Sequence, residues 1–332
     1  MKALIQKLVE SVAPSGYEKD IRSFILSEIK TFADEVNVDA MGNLIVRKGK
    51  KTKDNARIML AAHMDEIGIM ATHVDEDGFV RFTNIGGVFP LYLLGGRVRF
   101  LNGTPGVVAS EKLESRTKLP PMEKMFIDVG ATSKENCPVK VGDIAVFDRP
   151  FVDLGQRMVS KAMDDRIGVA VLMETLKQLK KTPNEVYFVF SSQEEVGTRG
   201  ATTSAYSIDP DIGISVDVTL VGDTPKSATM DVSLGKGPAI KVKDSGMISD
   251  PRLVKFMVET AKKNDIPYQL EVLTGGSTDA RAMQVSRAGV PASCVSIPSR
   301  YVHSPSEMVD LDDVQNSIRL LLAIVSSPIT LE

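Results

Sequence analysis

The chain has 332 residues, of which 43% are hydrophobic and 25% charged, with a formal net charge of −3. That length supports a substantial buried core, and the near-neutral balance excludes a basic nucleic-acid stripe or a long acidic tail. Its two cysteines, Cys137 and Cys294, form no CxxC, which argues against a disulfide framework or a thiolate zinc site and points to a reducing, cytoplasmic setting. Residues 1–12 carry Leu4, Ile5, Leu8, Val9 and Val12 at helical spacing with charges between them, an amphipathic helix rather than a signal-peptide core. No apolar run approaches the roughly 18 residues of a membrane span. A turn at "PSGYE" leads to a helix over 17–32, then strands over 36–40, 43–48 and 57–62, the alternation of an α/β layered domain.

From residue 69 to 158 the pattern changes to short β-type runs separated by Gly, Pro, Asn and Asp, as in a small barrel or sandwich. The helical period returns in "RMVSKAMDDRIGVAVLMETLKQLKK", with Ile167, Val171, Leu172, Leu176 and Leu179 on one face. Strands follow at "EVYFVFSS" and "IGISVDV", then a helix over 250–264, a short strand near 268–273 and a helix near 278–287. A strand at "ASCVSI" and a last helix over 310–325 complete the chain. The simplest parse is an α/β domain interrupted by an all-β insertion.

Polar residues gather where apolar runs stop. The stretch "RIMLAAHMDEIGI" ends its apolar strand on His63 and Asp65, which point to the same side at i, i+2 spacing. In open α/β sheets ligands bind at such carboxyl ends. Each residue also has an ordinary explanation. His63 and His303 serve as hydrogen-bonded or capping histidines, His73 as a surface residue of the insertion, Asp164 and Asp165 as helix caps, and Glu194 and Glu195 as a solvated loop. Asp217, inside an apolar strand, requires a cation nearby because an unpaired buried carboxylate is costly. A single cause covers all of them. His63, Asp164, Glu195, Asp217 and His303 make two imidazoles and three carboxylates, a donor set suited to zinc, cobalt or manganese, and a pair of divalent ions sharing one carboxylate uses all five.

The motifs "PSGYE", "GNLIV", "AAHMDEIG", "GGV", "KAMDDR", "QEEVGTRGA", "VDVT", "GGSTDA", "GVP" and "RYVHSPSE" occur in this order along the chain. Together they resemble the M42 family of dinuclear metallo-aminopeptidases. The resemblance implies an α/β fold: a three-layer α/β/α catalytic domain of the co-catalytic zinc peptidase type, residues 1–68 and 159–332, and an inserted β-barrel dimerisation domain, residues 69–158. It also implies two divalent metal ions per subunit, bridged by Asp164. His63 and Asp217 complete one ion's ligands, and Glu195 and His303 the other's. Glu194 is then the general base, and Asp65 fixes the His63 tautomer. A cis peptide is implied between Asp164 and Asp165. "GGSTDA" is expected either to line the substrate site or simply to begin a capped helix at Ser277 or Thr278.

The implied activity is removal of N-terminal residues from short peptides, by a homododecamer or a dimer, with no nucleic-acid or membrane partner. A deacylase of N-acyl amino acids would use the same ligands. A glycosidase built on Glu194 and Asp65 is disfavoured, because the chain has no tryptophan for a sugar platform and this reading leaves His63 and His303 without a role. An inactive shell protein is disfavoured by the presence of every proposed ligand.

Overall fold

In the computed structural model, which describes residues 1–332 apart from Asp54, residues 114–117 and Glu332, two amphipathic helices come first. These are α1 (Lys2–Glu10), burying Ile5, Leu8 and Val9, and α2 (Lys19–Ile29), burying Ile21, Ile25 and Ile29. Strands β1 (Glu35–Val38), β2 (Leu44–Lys48) and β3 (Arg57–His63) follow. The chain then leaves for β4 (Gly68–Val74), β5 (Val80–Ile85), a short helix α3 (Pro90–Leu93), β6 (Arg97–Phe100), β7 (Pro105–Ser110), β8 (Met125–Asp128) and β9 (Ile144–Phe147). These six strands close into a barrel in the order β4-β5-β8-β7-β6-β9, with every pairing antiparallel.

Strands β10 (Val152–Leu154) and β11 (Arg157–Ser160) bring the chain back. Residues 152–158, expected in the insertion, instead pair with the large sheet, and "RMVS" is a strand rather than the beginning of a helix. Its alternation of half-buried Arg157 and Val159 with buried Met158 and Ser160 is a strand pattern. The remaining elements are α4 (Met163–Gln178), β12 (Glu185–Ser191), α5 (Arg199–Ile208), β13 (Ile212–Thr219), β14 (Ala239–Lys243), α6 (Pro251–Lys263), β15 (Gln269–Val272), α7 (Asp279–Gln284), β16 (Ala292–Arg300), β17 (Glu307–Asp310) and α8 (Leu311–Val325).

The large sheet runs β1-β2-β12-β3-β13-β16-β17-β11-β10, with β14 joined to β16 and β15 to β14. Its centre, β12-β3-β13-β16, is parallel. Parallel strands need helices on both faces, and the side chains of β3 divide accordingly. Ile58, Leu60 and Ala62 enter the core formed with α1, α2, α4, α6 and α8, while Met59 and Ala61 enter the core on the α5 and α7 side. The result is three layers. No helix among the described residues is long and apolar enough to cross a membrane.

Candidate metal centre and active site

The parallel strands all end on one edge of the sheet. β3 stops at His63, β12 leads into Glu194 and Glu195, β13 carries Asp217, and the turn after β16 carries His303. Asp164 enters from the start of α4, where its peptide bond to Asp165 is cis. The neighbouring acids face different ways. Asp165 accepts from Gly168 N at 3.1 Å and from His63 N at 3.3 Å, so it caps the helix and ties it to β3. Asp164 faces the cavity.

The two imidazoles make the decisive geometry. His63 Nδ1 lies 3.1 Å from the backbone carbonyl of Asp65, and His303 Nδ1 lies 3.0 Å from the carbonyl of Gly87. A carbonyl only accepts, so each Nδ1 carries the proton and each Nε2 is turned inward. There, His63 Nε2 meets Asp164 Oδ1 at 3.0 Å, while His303 Nε2 meets Asp164 Oδ2 at 3.3 Å and Glu195 Oε1 at 3.4 Å. An imidazole lone pair facing a carboxylate needs a second proton or a metal cation between them. Donor atoms of His63, Asp164 and Asp217 lie within 4.8 Å of one another, as do those of Asp164, Glu195 and His303. The residues therefore fit two cation sites that share Asp164.

Electrostatics point the same way. Burial raises the proton affinity of Glu195 and pushes Glu194, Asp217 and Asp165 well above the usual carboxylate range, with neighbouring acids adding to each effect. Burial also opposes ionisation of Asp164, but hydrogen bonds from His303 and His63 outweigh it and hold that carboxyl low. Burial works against a charged His303, yet Glu195 and Asp164 raise it to about 12. Without added cations, the cluster gathers more carboxyls than burial allows to ionise together, so protons must take the place that cations would fill.

Asp65 meets His63 chiefly through its main chain. Its carboxylate is 3.5 Å from His63 Nδ1, farther than its own backbone carbonyl, and is committed elsewhere. Oδ1 accepts from Glu194 N at 3.0 Å, and Oδ2 accepts from Glu195 N at 3.2 Å and Ser15 Oγ at 2.6 Å. The Asp65 side chain thus holds the Glu194–Glu195 loop, and its main chain orients His63.

His63, Asp164, Glu194, Glu195, Asp217 and His303 line one cavity of about 470 Å³, which is of the size that takes small ligands. Gly275, Gly276, Ser277 and Thr278 line it too, and Thr278 also caps α7 by accepting from Ala280 N. "GGSTDA" therefore lines the cavity and begins a capped helix at once. His73 is exposed on barrel strand β4, outside the site.

The sequence profile of the M42 glutamyl aminopeptidase family matches residues 42–320. The chain belongs to the M42 aminopeptidase family. A putative aminopeptidase of Acetivibrio thermocellus is 50% identical over 323 residues, 96% of each chain. Among solved structures, an aminopeptidase from the archaeon Desulfurococcus kamchatkensis is 43% identical with a TM-score of 0.93, covering 98% of this chain and 94% of that one. The TET1 peptidase of Pyrococcus horikoshii, described as assembling into a tetrahedron or a large octahedral shell, is 35% identical with a TM-score of 0.88, covering 98% of both chains.

Some polar residues of this M42 site escape a reading of the sequence. Glu307 accepts from the backbone amides of both Asp164 and His303. Asp279 is buried behind the cavity and accepts from Ser191 Oγ, and burial raises its carboxyl to about 6. The sequence signal for Glu307 was its place in "HSPSE", four residues after His303, where it reads as part of a turn.

Proposed function

We propose that this M42 protein is a metal-dependent aminopeptidase that removes N-terminal residues from short peptides, with His63, Asp164 and Asp217 holding one divalent ion and Asp164, Glu195 and His303 a second. The observation that carries this reading is the convergence of both Nε2 atoms on the two oxygens of Asp164, each Nδ1 proton being already committed to a carbonyl. Zinc, cobalt and manganese all suit these donors. Bound there, divalent ions supply Lewis acidity to the scissile carbonyl and make water acidic enough to lose a proton near neutral pH.

The chain's own groups do the rest. Glu194, in the cavity wall with its amide fixed by Asp65, takes the proton from water and delivers it to the leaving amine. A carboxylate in the cavity wall would bind the free α-ammonium of a peptide, which favours trimming from the N-terminus. The cavity accommodates the N-terminal side chain, and Phe89, Leu220, Leu273 and Val302 give it apolar walls. The domain built on the large sheet acts as the catalytic unit, the barrel serves self-association into a dimer or dodecamer, and two free cysteines suit the cytoplasm.

The test is hydrolysis of aminoacyl-p-nitroanilides, with N-acetylated controls, by metal-stripped protein before and after addition of zinc, cobalt or manganese. Cleavage of free-amine substrates alone, restored by metal, is the expected result. Silence on the free-amine anilides with release of acetate from N-acetylated amino acids would overturn the aminopeptidase assignment in favour of a deacylase.

A further inference from the structure

Asp164 and His303 come from distant parts of the chain, and one strand pair brings them together. β11 runs into Asp164, and β17 begins shortly after His303. The two strands pair antiparallel with Ser160 opposite Glu307. Glu307 is only 2% exposed, and both of its oxygens are in use. Oε1 accepts from His303 N at 2.7 Å, and Oε2 accepts from Asp164 N at 3.0 Å. It does not line the cavity.

We propose that Glu307 is a positioning residue: its carboxylate clamps the backbone amides of Asp164 and His303 and so sets the separation and aim of these two ligands. This rests on the metal-centre reading above. His303 sits at a φ of +62°, a left-handed conformation uncommon for residues with a side chain, and the bond from its amide to Glu307 helps to hold it there. A carboxylate suits the task because it offers acceptors on both sides. A glutamine would serve one amide and present its own N–H groups to the other.

Asp313 supplies a matched comparison. It too is buried and accepts from two backbone amides, Gly235 N and Gly237 N, both at 2.7 Å, but neither belongs to a proposed ligand.

The experiment titrates cobalt(II) into metal-stripped wild-type, Glu307→Gln, Glu307→Ala and Asp313→Asn proteins. It records dissociation constants, the cobalt absorption spectrum and the melting point of the metal-free form. The Glu307 variants are expected to bind cobalt about 10- to 100-fold more weakly, with an altered spectrum. Asp313→Asn is expected to lose stability while keeping wild-type cobalt binding and spectrum. Glu307 variants that melt lower but bind cobalt like wild type would overturn the proposal and leave Glu307 a purely structural residue. A wild-type protein that takes up no cobalt would overturn the metal-centre reading itself.

Hydrogen exchange in the metal-free wild type covers the case in which the variants do not fold. The amides of Asp164 and His303 must both be protected, and rapid exchange at both would rule the clamp out.

Discussion

The parallel strands at the centre of the large sheet and the antiparallel strands of the barrel bury their side chains differently. β13 is buried at every position and β3 at all but its first, so polar groups on β3 are pushed to the ends. β6 and β7 alternate exposed and buried residues along most of their length, so the barrel carries its polar side chains on an outer wall. The two strand histidines show the consequence. His63 ends β3 and turns toward carboxylates, whereas His73 lies along β4 and faces outward. Burial on both faces concentrates polar groups at one edge, and there they acquire chemistry.

The barrel reaches that edge at the loop after β5. Gly87 O accepts from His303 Nδ1, and Phe89 lies in the cavity wall. A side chain at Gly87 would place its Cβ 2.3 Å from His303 Nδ1, and one at Gly86 would come within 3.0 Å of Glu195. Only glycine lets this loop come so close.

The contrast predicts a graded series of effects. Glu194→Gln is expected to lower kcat by about 10²- to 10⁴-fold while bound metal stays at the wild-type level, as steady-state kinetics and metal analysis would show. Asp65→Asn, which disturbs the loop carrying Glu194 and Glu195, is expected to reduce kcat/KM about 10- to 100-fold. A wild-type value would mean that this loop is held by other contacts.

Gly87→Ala tests the barrel's reach into the site. About tenfold weaker metal binding is expected, measured by calorimetry on the stripped protein. Ile127→Ala, in the barrel core and fully buried, is expected to cost about 2–5 kcal/mol of barrel stability in denaturant unfolding, with kcat/KM unchanged. A parallel fall in kcat/KM would show that the barrel governs the site through more than the one loop.

How much of this was legible in the sequence depended on burial. The central strands are read from their apolar runs, and the helices that cover them from their stripes. α5 escapes a reading of the sequence because "RGATTSAYSI" is rich in Gly, Ser and Thr, although Ala201, Ala205 and Ile208 keep helical spacing on its buried side. β14 escapes because its five residues include two lysines, Lys241 and Lys243, of which Lys241 is buried and paired with Glu271 on β15.

The proposed ligands were found because apolar runs stop at polar residues. Family resemblance, not periodicity, separated Asp164 from Asp165, and the structure gives them different partners. Glu307 was missed because its role depends on where backbone amides lie, which side-chain patterns do not encode.

The proposed ligands enter the chain first at residue 63 and last at residue 303, and they meet only when strands from both halves stand side by side. Contacts so remote in sequence form late, because a long loop must close before they are rewarded. A nascent chain that has not yet made β16 and the turn behind it lacks part of the proposed donor set, so partly synthesised protein is expected to be catalytically silent. Once the set is complete, each captured ion favours the folded over the unfolded chain by mass action, and the durability of the mature protein becomes a function of how much free metal its surroundings provide.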